Sequence, residues 1–404
     1  MKSEFITKPL SEIADIQTGP FGSQLHKKDY VQVGTPIVTV EHLGKKAFTK
    51  RNLPCVSNDD KERLSKYILQ EGDIVFSRVG SVDRCSYVSH DYDGWLFSGR
   101  CLRVRPLMEI DPQYLYYFFT LESTKQFVRG IATGATMPSI NTKFMGEIPI
   151  VYPKIDVQRK IASIFNLIDD KIELNRNINE NLEKQAQALY HSWFINYEHF
   201  GGVKPNDWKD GTIDELGAEI ICGKTPSTKK TEYYGGKTPF ITIPDMHGCV
   251  YNVSTERYLS SAGVASQPKK CLPPNTVCVS CIGTAGLVTL VSEESQSNQQ
   301  INSIVPQEGI SAYYIYLLMK TLSETINKFG QSGSTIVNLN KTQFGKIQVM
   351  IPSKDVMQEF DFLCKPIFEK IHSNQKENVK LSELRDTLLP KLMSGELSIS
   401  NLNF

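Results

Sequence analysis

The chain has 404 residues, 40% hydrophobic and 22% charged, with a formal net charge of +1. That length exceeds one ordinary core, and the composition excludes both a disordered chain and a polycation that would bind nucleic acid over its whole surface. No run of about 18 apolar residues is available to span a bilayer and MKSEFITKPL lacks the layout of a signal peptide, so a cytoplasmic location, no membrane partner and nine reduced cysteines are expected.

Residues 1–154 read as a mixed α/β globule. TPIVTV (Thr35–Val40) and EGDIVFSRVG (Glu71–Gly80) have the period of two and the β-branched content of strands. PQYLYYFFTLESTKQFV reads as a helix with a capping Asp near its start, and GATMPSINTKFMGEIPIVYP (Gly134–Pro153) follows. Basic residues gather where loops are expected, in HKKDY (His26–Tyr30), GKKAFTKR (Gly44–Arg51) and at Arg78, Arg84 and Arg100. Lys and Arg suit phosphates, whereas Arg, Gln, Ser and Thr reach base edges. The candidates in this half are Ser23, Gln24, Lys27, Lys28, Lys45, Lys46, Arg78, Ser81, Arg84 and Arg100. Each Lys pair taken alone also reads as a solvated loop.

Residues 155–197 read as a long spacer helix. Ile161, Ile168, Asn175, Leu182 and Leu189 form one seam, and Phe165, Ile172, Asn179, Ala186 and Trp193 a second. Alternating steps of four and three are those of a coiled coil. EHFGGVKPNDWKDG supplies a linker at 198–211.

Residues 212–353 repeat the plan of the first globule. TPFITI (Thr238–Ile243) and PNTVCVSCIG (Pro274–Gly283) stand 203 residues after their counterparts, and YIYLLM stands 200 after YLYYFF. GSTIVNLNKTQFGKIQVMIP (Gly333–Pro352) stands 199 after the Gly134 stretch. Such self-similarity marks a duplicated architecture. In both copies the small residues suit a tight turn and the Pro stops a strand before a helix; a phosphate contact from this turn is the alternative reading. The loops diverge where the scaffold does not, giving the second set of candidates: Lys224, Thr225, Ser227, Thr228, Lys229, Lys230, Thr284, Ser332, Ser334 and Thr335. Cys278 and Cys281 make one C-x-x-C, but a strand there puts them on opposite faces, so buried thiols are expected rather than a metal site.

Residues 354–396 repeat the long helix, ahead of a tail at 397–404. Its seams are Phe360, Ile367, Asn374, Leu381 and Leu388, and Cys364, Ile371, Asn378, Arg385 and Leu392. Paired antiparallel, the two helices would bring Asn175 and Asn179 against Asn374 and Asn378, and a seam Asn fixes register because other alignments bury an unpaired amide. A polar patch meeting water is the alternative.

Catalytic signatures are absent. The GKT triplets at Gly223–Thr225 and Gly236–Thr238 have Ala218 and Thr231 where a phosphate-binding loop needs Gly. No acid, base or nucleophile recurs between the halves, so no catalytic residue and no bound metal are expected and the repeated function reads as binding. A helix from about Ile161 to Phe194 extends roughly 50 Å, a span on which two globules fit two sites one to one and a half turns apart on DNA, roughly 34–50 Å. The alternative is a structural adaptor with two protein-binding globules and no DNA contact.

Four stretches carry a family resemblance: EGDIVFSRVG, GKTPSTKKTEYYGGKTPFITIPD, ALYHSWFINYE and LLPKLMSGEL. With them the chain resembles, over nearly its whole length, the specificity subunit of a type I restriction-modification system. The resemblance implies two target recognition domains separated by two antiparallel helices. It also implies a double-stranded DNA target in two parts with an unread spacer, and two methyltransferase (modification) subunits as partners. Two restriction subunits join where a nuclease is present, and S-adenosylmethionine, ATP and Mg belong to those partners. By position, Ser77, Arg78, Gly80 and Ser81, and Ser280, Gly283 and Thr284, match the family's strand-turn, with Cys281 where the first half has Arg78. Thr225, Ser227, Thr228 and Lys229 match a loop that the resemblance places toward DNA.

Overall fold

A computed structural model describes residues 5–330 and 338–399. It divides into two compact units, residues 1–169 with 383–404 and residues 170–382. Each long helix therefore contributes to both units, because Ile155–Tyr190 and Lys354–Met393 each run across a unit boundary.

In the first unit an antiparallel sheet runs in the order Ala14–Thr18, Cys101–Pro106, Ile74–Ser77, Cys85–Tyr87. The second unit repeats that order with Gly217–Cys222, Ile301–Pro306, Val277–Ser280 and Val288–Val291, and adds Tyr251–Asn252 in parallel at the edge. Register repeats as well: Val75 faces Arg103 as Cys278 faces Ser303. The outermost strand pair recurs too, Ile6–Pro9 on Pro149–Tyr152 and Lys209–Thr212 on Gln348–Ile351. The mixed α/β reading and the duplication both hold.

The two central strands are buried along their whole length, not on alternate residues as the period of two suggested. Each is covered on both faces. Phe76 meets Phe119 of the aromatic helix edge-on at 4.7 Å, while its neighbour Val75 packs with Ile37, Val38 and Leu96 of a second sheet. In the second unit Cys281 joins the core under the aromatic helix and Cys278 the core on the opposite face. Burial pushes both thiols up to about 12.

The long aromatic helix of each copy is two helices. Pro112–Thr120 ends where Leu121 turns extended, and Glu122–Ile131 follows; the second copy has Ala312–Thr321 and Ser323–Gly330. The capping reading holds, since Asp111 accepts from the Gln113 and Tyr114 amides and Ser311 from the Tyr314 amide. The Asn that recurs at the 199-residue offset, Asn141 and Asn340, is also a cap. Asn141 Oδ1 accepts from Phe144 N at 2.9 Å and Asn340 Oδ1 from Gln343 N at 2.9 Å, each opening a one-turn helix before the last strand. The stretch read as a linker, 198–211, is packed: His199 stacks on Trp193 at 3.9 Å, Trp208 is buried, and the strand from Lys209 begins inside it.

Within the second unit the long helices are antiparallel. Asn175 Nδ2 donates to Asn378 Oδ1 at 2.9 Å and to Glu377 Oε2 at 2.8 Å, and Asn374 Nδ2 donates to Asn179 Oδ1 at 2.8 Å. Asn179 and Asn378 in turn donate to the Ile371 and Ile172 carbonyls. Asn175 and Asn374 are each 1% exposed, so these amides rely on one another rather than on water. Asn175→Ala or Asn374→Ala, which strands a partner amide in the seam, is expected to cost about 1–3 kcal/mol. A lowered urea midpoint reports it; an unchanged midpoint would mean that water satisfies the ladder.

In the first unit the seam residue Arg385 donates to Asp169 Oδ1 at 2.9 Å, and Tyr117 Oη donates to Asp169 Oδ2 at 2.8 Å. The charge is tolerated there because it is paired. Some seam positions are shifted by one residue: Phe368, Leu389 and Tyr190 are buried, whereas Ile367, Leu388 and Leu189 are only partly buried.

Candidate nucleic-acid interface

The strand order above sets three loops side by side at one end of each main sheet. They follow the first strand, follow the central strand, and precede the strand between those two. Glycine makes their closeness possible. A Cβ on Gly19 would lie 2.2 Å from the Ser98 carbonyl oxygen, and one on Gly223 would lie 2.2 Å from that of Asn298. A Cβ on Gly99 would lie 2.3 Å from the Pro20 carbonyl oxygen. Real Cβ contacts are never so short, so only glycine lets these backbones meet.

The junction is wired alike in both units. Gly19 N donates to the Cys101 carbonyl and Gly223 N to that of Ile301. Arg78 N donates to the Arg100 carbonyl and Cys281 N to that of Gln300, both at 2.8 Å. The segment after the helices docks on the same turn, through Ile140 N to the Arg78 carbonyl and Leu339 N to the Cys281 carbonyl, each at 3.0 Å. Gly80 and Gly283 turn the chain there with φ of 77° and 76°. Ser77 and Ser280 hydroxyls donate into that turn, to the Val79 and Thr284 carbonyls, both at 2.7 Å.

On this common wiring the side chains differ. In the first unit the Arg78 guanidinium lies 5.6 Å from the centre of the half-exposed Phe21 ring and donates to the Gly99 carbonyl at 3.3 Å. Arg100 and Ser81 are exposed beside it. In the second unit Thr225 Oγ1 donates to Gln299 Oε1 at 2.7 Å, and Asn298 Nδ2 donates to Gln300 Oε1 at 3.0 Å. Thr284 and Lys224 are exposed. Cys281, in the place of Arg78, is a buried thiol pushed up to about 12 by burial, so the second unit has no cation at that position.

The junctions thus collect Arg78, Ser81, Arg100, Lys224, Thr225 and Thr284 from the candidates read in the sequence. Other candidates are engaged elsewhere. Lys46 Nζ donates to Asn166 Oδ1 of the first long helix at 2.6 Å and to Tyr117 Oη at 3.3 Å, and Arg84 donates to the Leu43 carbonyl. These two brace the first unit internally. Gln24 is exposed, and its Oε1 accepts from Tyr67 Oη at 2.6 Å. Lys28 and Lys45 are exposed loop residues, and Ser23 and Lys27 lie on the short turns Gly22–Gln24 and Lys27–Asp29. Ser227, Thr228, Lys229 and Lys230 form one exposed loop, in which Lys230 donates to Tyr233 Oη at 3.0 Å, a bond that raises its pKa. Ser332, Ser334 and Thr335 lie outside the described residues. Sequence reasoning missed Phe21, Gln299 and Gln300. The available signal was SNQQ (Ser297–Gln300) standing 200 residues after FSGR (Phe97–Arg100), the offset already found for the aromatic helices.

The duplication is visible in the family match too, which covers the chain in two parts. Residues 2–184 and 205–381 match the family described as type I restriction modification DNA specificity domain. The chain belongs to that family. Its relatives include the HindI specificity subunit of Haemophilus influenzae, 32% identical over 82% of this chain and 88% of the relative. They also include the MjaIX specificity subunit of Methanocaldococcus jannaschii, 26% identical over 72% of this chain and 70% of the relative. The crystal structure of the type I restriction-modification system S subunit from M. genitalium matches with a TM-score of 0.63. It covers 97% of this chain and 96% of that one at 16% identity, a likeness of fold. As a type I specificity subunit, the chain has DNA sequence recognition as its role. Among the described residues no helix is long and apolar enough to cross a membrane.

Proposed function

We propose that this specificity subunit reads a bipartite double-stranded DNA target, one half-site per unit, and performs no chemistry itself. The observation that carries this reading is the junction built twice on the same hydrogen bonds with different exposed side chains, the arrangement expected of two modules that hold different ligands on one frame. The long helices dock two methyltransferase subunits, which hold S-adenosylmethionine and modify adenine. Where a nuclease is present, two restriction subunits with ATP and Mg join them, and the assembly works in the cytoplasm.

Sequencing genomic DNA for methylated adenine with and without this gene tests the reading. A two-part methylated motif that vanishes on deletion is expected, and replacing residues 1–150 with those of a relative should change one half-site only. A methylation pattern indifferent to the gene would sink it and favour the adaptor, whose assembly would not respond to DNA or salt. The assembled complex should bind its motif less tightly as salt rises, because phosphate contacts release counterions.

A further inference from the structure

The two junctions differ in a way that predicts the kind of base each one meets. Arg100 is exposed and its guanidinium makes no side-chain hydrogen bond among the described residues. It projects from a backbone fixed on both sides: its carbonyl is held by Arg78 N, and Gly99 is pressed against the Pro20 carbonyl. A guanidinium matches the O6 and N7 acceptors of guanine with two parallel bonds. At the equivalent place the second unit has no cation. It has the Gln299–Gln300 pair, each amide oxygen already accepting one bond, from Thr225 Oγ1 and Asn298 Nδ2. Each amide keeps its two N–H donors and one lone pair, the donor–acceptor set that meets N7 and N6 of adenine. Both amides are oriented before any ligand arrives, so little side-chain freedom remains to be lost on binding.

We infer that Arg100 reads a guanine in the half-site of the first unit and that Gln299 with Gln300 reads an adenine at the corresponding place in the half-site of the second. The inference rests on the DNA-reading function above and adds the base class and the residues. Arg78 is a positioning residue, holding the Gly99–Arg100 turn over Phe21.

The test is the gene-dependent methylation motif, compared between wild type, Arg100→Ala, Arg100→Lys and Gln299→Ala with Gln300→Ala. Arg100→Ala should relax one guanine position of one half-site, by roughly 5- to 150-fold in discrimination, and leave the other half-site intact. Arg100→Lys keeps the charge but not the paired bonds, so it should preserve total methylation while relaxing the same position. The double Gln variant should relax one adenine position of the other half-site. The unaffected half-site in each variant reports that the chain still folds. A variant that weakens all sequences alike, or that leaves both half-sites unchanged, overturns the inference while the two-part wild-type motif still stands. Absence of any gene-dependent motif in wild type would instead overturn the function.

Discussion

Phe360→Ala is expected to destabilise the second unit by about 3–5 kcal/mol, among the largest losses a single side chain can produce here. Phe360 is fully buried, with ring centres of Phe194, Trp193 and Tyr190 at 4.9, 5.7 and 6.4 Å. Those three rings end the first long helix, where Tyr190 gives way to the π turn His191–Ile195. Removing the ring leaves a cavity that the stiff aromatic walls cannot collapse to fill, so the lost transfer energy and the cavity cost add. Calorimetry should show the transition of residues 170–382 at a lower temperature. A shift no larger than that of an exposed substitution such as Phe362→Ala, where the ring is 79% exposed, would show that the cluster does not hold the unit together.

Gly223→Ala should abolish recognition of one half-site. Its Cβ would lie 2.2 Å from the Asn298 carbonyl oxygen and 2.4 Å from that of Ser297, and both are backbone atoms that cannot swing aside. The Lys224–Thr225 loop must therefore move, breaking the 3.1 Å bond from Gly223 N to the Ile301 carbonyl and withdrawing Thr225 from Gln299. The stability cost is about 1–3 kcal/mol, typical of overpacking, but the larger effect falls on the junction. Methylation motifs should keep the half-site of the first unit and lose definition in the other. Gly130→Ala, where an added Cβ meets nothing within 4 Å, is the matched control and should leave both unchanged. An intact two-part motif in the Gly223 variant would show that this loop stands outside the interface.

Local signals carried most of the architecture. Asp111 and Ser311 announced their helices because a cap needs only an acceptor within three residues of the amides that it satisfies. The four seam Asn were legible because helical periodicity and an antiparallel pairing together fix which amides meet. Errors came where burial depends on a neighbour distant in the chain. The period-two reading of Ile74–Ser77 gave way to burial on both faces because the aromatic helix and a second sheet cover it from either side. Phe368 replaced Ile367 in the seam because packing of the aromatic helix decides which side chain is enclosed, as its stacking on Tyr313 at 4.5 Å shows.

The candidate interface divides the same way. Arg78, Arg100 and Thr225 were visible as polar residues in divergent loops, and Lys46 looked equal to them. Only the fold turned Lys46 toward Asn166, 120 residues away, and Arg84 toward the Leu43 carbonyl. Gln299 and Gln300 carry no composition signature, since an amide is neutral, and only the 200-residue offset from FSGR marks their place. They become candidates once Thr225 and Asn298 are seen to orient them. The sequence by itself determined the duplication, the seam Asn pairs and the family, since each is written in spacings that need no third dimension. The tertiary structure alone decided which loops converge. Convergence depends on strand order and on backbones close enough that only Gly19, Gly99 and Gly223 fit between them, and neither property resides in any local stretch of chain.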